Sequence, residues 1–420
     1  MAFLSSFKNT FLIWLLILTA CGNPVKKDID SAALELPKTN NLQESPIIVG
    51  ANDTENYLPY LNNKKVGVVA NQTSIIFKNY NSESKDMGSY THLVDSLLAL
   101  GIDIKKVFAP EHGFRGMADA GEHVKDGTDT KTGLPIISLY GKNRKPTSAQ
   151  LDSLEIVVFD IQDVGVRFYT YIATLQLVME ACAEKGIPLL VLDRPNPNGH
   201  YIDGPTMENE HMGFLGLTPI PLVYGMTIGE YAQMINNEGW LENGIKADLT
   251  VIPLRNYTHD SSYSIPVRPS PNLPNQVAIN LYPSLGLFEG TNINAGRGTE
   301  NQFQRYGAPF LDSTTYNFSY VPKSNFGSKN PKHLDKICYG KDLSSWPRMN
   351  EVSLQWLIDA YSHSTDQKLF FNTIGFTKHA GTEKLQQQIE AGWSEKEIKS
   401  SWKNDLDKFR GIRSKYLLYP

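Results

Sequence analysis

Four short, unbroken apolar runs constrain this chain more than any other feature: Val66 to Ala70, Val107 to Ala109, Ile156 to Phe159 and Leu189 to Leu192. A continuous Val/Ile/Leu run bounded by polar residues is what a strand covered on both faces requires, and such strands belong to parallel sheets. Each run ends abruptly. The first empties into Asn71 and Gln72, the second, through Pro110, into Glu111 and His112, the third into Asp160 and Asp163, and the fourth into Asp193 and Arg194. Strands that run the same way would collect these groups along one edge of the sheet, which is where an α/β fold builds a site.

Between the runs the periodicity changes to that of helices. Leu93, Val94, Leu97, Leu98 and Leu100 recur at helical spacing with Gly101 as a stop, and further helices are expected at Ser148 to Ser153 and at about Tyr171 to Lys185. This alternation predicts an α/β fold: a Rossmann-like, doubly wound, mostly parallel sheet over about residues 60 to 200. After Asn196-Pro197-Asn198-Gly199 proline becomes frequent and the alternation fades. A helix over Met226 to Trp240, with Thr227 and Glu230 placed as a capping box, a strand at Leu249 to Leu254, and two amphipathic helices within Thr382 to Tyr416, parted near Gly392-Trp393-Ser394, suggest a second, smaller α+β lobe. The expected division is residues 56–200 for the sheet lobe and 201–420 for the lobe that closes a cleft against it.

The N-terminus reads as an address. Lys8 precedes an apolar run from Phe11 to Leu18, too short to span a bilayer as a helix but suited to the core of an export signal. Small residues then lead into Cys21 in Leu18-Thr19-Ala20-Cys21-Gly22, a sequence resembling a bacterial lipoprotein processing site. On this reading residues 1–20 are a signal peptide and residues 21–55 are lipid anchor and polar linker. The protein would be exported and held at a bacterial membrane, on a periplasmic or outer-membrane face, through lipidated Cys21. The other two cysteines, Cys182 and Cys338, are expected to be buried free thiols.

Composition and motif search remove several kinds of chemistry. With 40 basic against 44 acidic residues and no Lys/Arg run, a nucleic-acid partner is not supported. The first strand leads into V-G-V-V-A-N-Q-T-S, which is neither a dinucleotide fingerprint nor a P-loop, so the sheet implies no nucleotide and no cofactor is expected. His112 and His123 flank Glu111, Asp119 and Glu122 without the spacing of a metal motif, so no metal is assigned. A nucleophile elbow of the G-x-S-x-G type is missing. What remains is carboxylates: Glu111 at a strand end, with Glu122, Asp160, Asp163 and Glu289 as partners that could flank a scissile bond. Arg167-Phe168-Tyr169-Thr170-Tyr171 mixes a cation with aromatic rings, which suits a sugar but suits a core cluster equally well.

The motifs F-A-P-E-H-G-F-R-G (108 to 116), T-G-L-P-I-I-S-L-Y-G (132 to 141), F-D-I-Q-D-V-G-V-R-F-Y-T-Y (159 to 171), L-D-R-P-N-P-N-G (192 to 199), S-P-N-L-P (270 to 274), E-G-T-N (289 to 292) and G-R-G-T (296 to 299) resemble the NamZ-type exo-β-N-acetylmuramidases. The likeness runs in order from about Lys64 to the C-terminus. It implies a glycoside hydrolase that removes N-acetylmuramic acid (MurNAc) from the non-reducing end of peptidoglycan fragments such as MurNAc-GlcNAc. It further implies catalytic roles for Glu111, with His112, Asp160 and Glu289 assisting, and substrate contacts from Asn71, Arg115, Asp163, Arg167, Tyr169, Asn292 and Arg297. Arg115, Arg167 and Arg297 are the cations available for the lactyl carboxylate of muramic acid. Two rival readings stay open on the residues alone: a tethered protein that captures cell-wall sugars without cleaving them, and an amidase or esterase.

Overall fold

The computed structural model describes residues 45–78, 89–116 and 126–420. Residues 1–20, read above as a signal peptide, together with Cys21, most of the expected linker, and Asp119, Glu122 and His123, lie outside them. Among the described residues no helix is long and apolar enough to cross a membrane. Residues 45–420 form one compact unit.

The chain enters through a helical turn at Gly50–Asn52 and helix α1 (Thr54–Leu61), then forms the first strand, β1 (Val66–Ala70). A hairpin, β2 (Ile75–Phe77) and β3 (Tyr90–His92), precedes α2 (Leu93–Ala99) and β4 (Ile104–Ala109). Next come β5 (Gly127–Thr128), β6 (Pro135–Ser138), α3 (Ser148–Leu151), β7 (Ile156–Asp160), α4 (Tyr171–Lys185) and β8 (Leu189–Leu192). A ribbon of β9 (Asp203–Thr206) and β10 (Pro221–Val223) is followed by α5 (Ile228–Asn237) and β11 (Leu249–Ile252).

All four apolar runs become strands of one seven-stranded sheet ordered β11-β8-β7-β1-β4-β6-β5, parallel except for β5 against β6. The chain winds outward from β1 through β4 and β6, returns to the other side of β1 at β7, and runs out again through β8 and β11. The order reverses between β1 and β7, and such a switch point opens a crevice at the carboxyl ends of the strands. The unbroken hydrophobicity has its expected cause. Val66, Val68, Val107 and Val158 face one core cluster, while Val69, Phe108, Val157 and Phe159 face the other. Burying both faces removes a dozen or so large side chains from water, each worth about 1.5–3 kcal/mol.

The boundary expected near residue 200 falls inside the sheet's own chain, because β11 pairs with β8 in register Leu249 to Leu189 through Ile252 to Leu192. The proline-rich stretch after residue 196 is an excursion carrying the β9–β10 ribbon, after which α5 and β11 resume the alternation. The capping box expected at Thr227 and Glu230 is present and starts α5.

The smaller region begins with α6 (Gln276–Leu285). It holds a three-stranded antiparallel sheet of β12 (Arg305–Ala308), β13 (Phe318–Tyr320) and β14 (Cys338–Asp342), in the order β12-β14-β13. Helices α7 (Gln355–Ser362), α8 (Thr373–Ala380), α9 (Lys384–Glu390) and α10 (Glu395–Arg413) complete it. The last two are the amphipathic pair read from the sequence, and Ser394 with Glu397 caps α10 in a reciprocal box. Cys182 and Cys338 are both buried and unbridged.

Candidate active site

Strand β4 ends at Ala109, and Pro110 opens a tight turn closed by the Gly113 amide donating to the Pro110 carbonyl at 3.0 Å. His112 sits in this turn at φ +70° and Gly113 at +77°. Glycine takes that conformation freely, whereas a histidine held there stores about 1–3 kcal/mol, a strain found where a turn must aim a side chain. The side chain aimed is Glu111. Its Oε2 accepts from the Thr170 hydroxyl at 2.9 Å, and the Tyr140 hydroxyl donates to the same carboxylate. Thr170 is the N-cap residue of α4, so the carboxylate lies at the positive end of that helix.

Glu111 lines a cavity of about 1010 Å³. The sheet region contributes Glu111, His112, Tyr140, Arg144, Phe168, Tyr169 and Thr170, and a loop between β9 and β10 adds His211 to Leu215. Opposite stand Ser270, Asn272, Tyr282 of α6, Glu289, Asn294, Arg297 and Phe303, with Gly327 to Lys332 and, from α8, Lys378 and His379. Five cations thus share the cleft with two carboxylates, Glu111 and Glu289, among the described residues, and the excess suits an anionic ligand. Rings of Phe168, Tyr169, Tyr282 and Phe303 pack edge to face with centroids 4.7–6.1 Å apart, a rigid apolar wall.

The two carboxylates differ in state. Glu289 accepts from Arg297 Nε at 3.1 Å on each oxygen. Burial alone would favour its neutral form, but the charges of Arg297 and Lys332 prevail and hold its carboxyl at about 2. Glu289 is therefore an anion that carries no proton to deliver, and it fixes Arg297, whose guanidinium also lies 5.1 Å from the centre of the Phe303 ring. Lys332 spends its donors on the carbonyls of Phe288, Glu289 and Thr291 at 2.8, 3.1 and 2.6 Å, pinning the segment that bears Glu289. Burial lowers the pKa of His379, whose Nδ1 lies 2.8 Å from the Gly375 carbonyl.

Of the residues singled out in the sequence, the cleft brings together Glu111, His112, Tyr169, Glu289 and Arg297. The others are placed elsewhere. Asp160 is fully buried and paired with Arg194 through Nε–Oδ1 and Nη2–Oδ2 contacts of 2.5 and 2.9 Å. Asp163 accepts from the Gly165 amide at 2.6 Å and from the Tyr224 hydroxyl, and burial pushes its carboxyl up to about 6. Arg115 is held by Asp95 and Asp129 at 3.1 and 2.7 Å, outside the cleft. Asn71 shapes the loop after β1, its Oδ1 accepting from the Thr73 amide and hydroxyl at 2.8 and 2.6 Å. Asn292 ties its segment to the turn that precedes α8, its backbone amide donating to the Phe370 carbonyl at 2.8 Å.

Arg167 is the largest correction. It is wholly buried and donates to four carbonyls, Pro205 and Ile220 at 2.7 and 3.0 Å and His379 and Ala380 at 2.9 and 2.7 Å. It reaches no sugar; it stitches the stems of the β9–β10 loop to the end of α8. Sequence reasoning passed over Tyr140, Thr170, Phe214, Tyr282, Phe303, Lys332, Lys378 and His379. Tyr140 and Thr170 lay inside motifs already singled out, while the rest come from distant segments with no local pattern. Glu208, Glu210 and His211 bring three potential ligand atoms within 4.8 Å of one another, but the Lys384 ammonium stands 2.5 Å from Glu208 in the same place.

A cleft at the carboxyl ends of the strands that sets one hydrogen-bonded carboxyl among aromatic walls and fixed cations is that of a carbohydrate-active α/β enzyme. The chain belongs to the NamZ exo-β-N-acetylmuramidase family. The family's "Exo-beta-N-acetylmuramidase NamZ, N-terminal" profile matches residues 66–277 and its C-terminal counterpart matches residues 280–419. That division falls at α6, beyond β11, where the sheet topology also puts it. The chain is 38% identical over 413 residues to peptidoglycan beta-N-acetylmuramidase NamZ of Bacillus subtilis (strain 168), covering 93% of this chain and 96% of that one. Two crystal structures of DUF1343 family proteins from Bacteroides fragilis NCTC 9343 share the fold. One has a TM-score of 0.80 at 43% identity, over 89% of this chain and 99% of its own. The other has 0.74 at 25% identity, over 90% and 100%.

Proposed function

We propose that this protein is an exo-acting glycoside hydrolase that releases MurNAc from the non-reducing end of peptidoglycan fragments such as MurNAc-GlcNAc. The observation that carries the reading is Glu111: a carboxyl at the end of β4, oriented by Thr170 and Tyr140, in a cleft walled by rings and cations. Glu111 in its acid form protonates the glycosidic oxygen as the bond to the muramic C1 breaks, and GlcNAc leaves with a restored hydroxyl. The resulting carboxylate then takes a proton from the water that adds at C1, so the enzyme ends as it began. Arg297, held by Glu289, takes the lactyl carboxylate. Glu289 is committed to that arginine, which makes it a positioning residue.

Incubating residues 22–420 with MurNAc-GlcNAc and following free MurNAc by mass spectrometry tests the reading. Time-dependent release is expected; tight binding with no product would instead make the protein a sugar-capturing one. The apolar run from Phe11 to Leu18 and the Leu18-Thr19-Ala20-Cys21-Gly22 stretch after it support a second proposal, that the protein is a lipoprotein anchored outside the cytoplasm through Cys21. Metabolic labelling with a tagged fatty acid should mark the wild type and spare Cys21→Ser, and equal labelling of both would contradict it.

A further inference from the structure

The loop between β9 and β10 is built to hold one aromatic ring over the cleft. Its stems are joined by the Met207 amide donating to the Ile220 carbonyl at 3.0 Å, and both rest on Arg167, which bonds Pro205 and Ile220. Nearer the tip, Gly213 and Gly216 exchange backbone hydrogen bonds of 3.1 and 2.8 Å, pinching the loop so that Phe214 and Leu215 project into the cleft. Gly216 packs on this base, since a Cβ there would meet Met207 Cε at 2.6 Å and Arg167 Cδ at 3.0 Å. The loop is thus anchored in the core at its base while its tip rests against two side chains of the sheet region. The Arg144 guanidinium lies 4.2 Å from the centre of the Phe214 ring, and the Tyr140 ring lies 6.3 Å from it, tilted by 54°. Tyr140 is also the residue that donates to Glu111.

A single phenol ring therefore separates the acid from Phe214. We infer that Phe214, packed against Arg144 and beside Tyr140, is the wall that stops the glycan one sugar beyond Glu111 and so confines the enzyme to chain ends. This rests on the glycosidase reading above and adds to it the residue that sets the mode of attack. Nothing in the chemistry of Glu111 distinguishes a terminal from an internal bond; the wall does.

The test uses two substrates, MurNAc-GlcNAc and the capped trisaccharide GlcNAc-MurNAc-GlcNAc, whose internal muramic bond is reached only if a second sugar fits past the acid. Wild type should cleave the disaccharide and leave the trisaccharide intact. In Phe214→Ala the ratio of trisaccharide to disaccharide cleavage should rise about tenfold or more, because the second sugar of the trisaccharide gains a place while the disaccharide's contacts are unchanged. The products are GlcNAc-MurNAc and GlcNAc. Arg144→Ala, a change at an exposed side chain, should move the ratio in the same direction by a smaller factor, and it carries the test if the alanine at 214 unfolds the loop. An unchanged ratio in both variants, or wild type that cuts the capped substrate as readily as the free one, overturns the wall. Wild type inactive on MurNAc-GlcNAc removes the glycosidase reading itself, which is a different result.

Discussion

Arg167→Met keeps an unbranched apolar stem and removes the guanidinium, so it isolates what four buried hydrogen bonds are worth. A hydrogen bond from a charged donor is worth a net of about 1.5–3 kcal/mol, desolvation included. Burial brings the Arg167 pKa down to about 9, so the cation depends on its four carbonyl partners to stay charged in the core. Removing it leaves those buried carbonyls short of a donor, and the variant is expected to lose about 4 kcal/mol, in keeping with other broken buried networks. Urea unfolding followed by tryptophan fluorescence measures the loss. Hydrogen exchange at the Met207 amide, which donates to Ile220 above the guanidinium, should quicken in parallel. A sugar-binding arginine would behave otherwise, with unaltered stability and a raised KM for MurNAc-GlcNAc. A stability loss under about 1 kcal/mol would refute the structural role and the reasoning behind it.

Other substitutions test the cleft's electrostatics. The Glu289 carboxyl is held at about 2, against about 4.3 in an unfolded chain, so its contribution of about 3 kcal/mol is complete above the unfolded value and is lost as pH falls through the folded one. Glu289→Gln should therefore be less stable than wild type at pH 7, with the gap in urea midpoint closing between about pH 4 and 2; a pH-independent gap would contradict the ion pair. Arg297→Ala should reduce the preference for MurNAc-GlcNAc over a GlcNAc-terminated analogue by about tenfold to a hundredfold, since it removes one charge-assisted contact worth about 1.5–3 kcal/mol, and competition kinetics measures it. Burial pushes the Cys182 and Cys338 thiols up to about 12, so a disulfide reagent should titrate neither in the native fold and both in urea.

The strands were legible because continuous burial leaves a compositional mark that survives without neighbours: Val66–Ala70 and Ile156–Phe159 read as strands before any partner is known. The order of the strands left no such mark. Glu111 and Asp160 both follow apolar runs, yet only Glu111 reaches the cleft. Strand β7 lies beside β1 at the centre of the sheet, where the Ser74 hydroxyl closes over the Asp160 backbone and Arg194, from the end of β8, takes its carboxylate. Strand β4 lies on the other side of β1, and its end opens onto the space left by the smaller region. Arg167 failed for a related reason, because a cation among aromatic residues reads the same whether it faces a sugar or four carbonyls. The far wall, from Tyr282 to His379, assembles from segments about a hundred residues apart in sequence, and nothing local announced it.

The central claim is that Glu111 is the proton donor of a hydrolase, and the direct measurement is the rate of MurNAc release from MurNAc-GlcNAc by Glu111→Gln beside wild type. The amide keeps the size of the side chain and can still meet the Thr170 hydroxyl, but it has no proton to give. The account predicts a fall in kcat of about a hundredfold or more with the disaccharide still bound. A glutamine variant that releases MurNAc at the wild-type rate would contradict it.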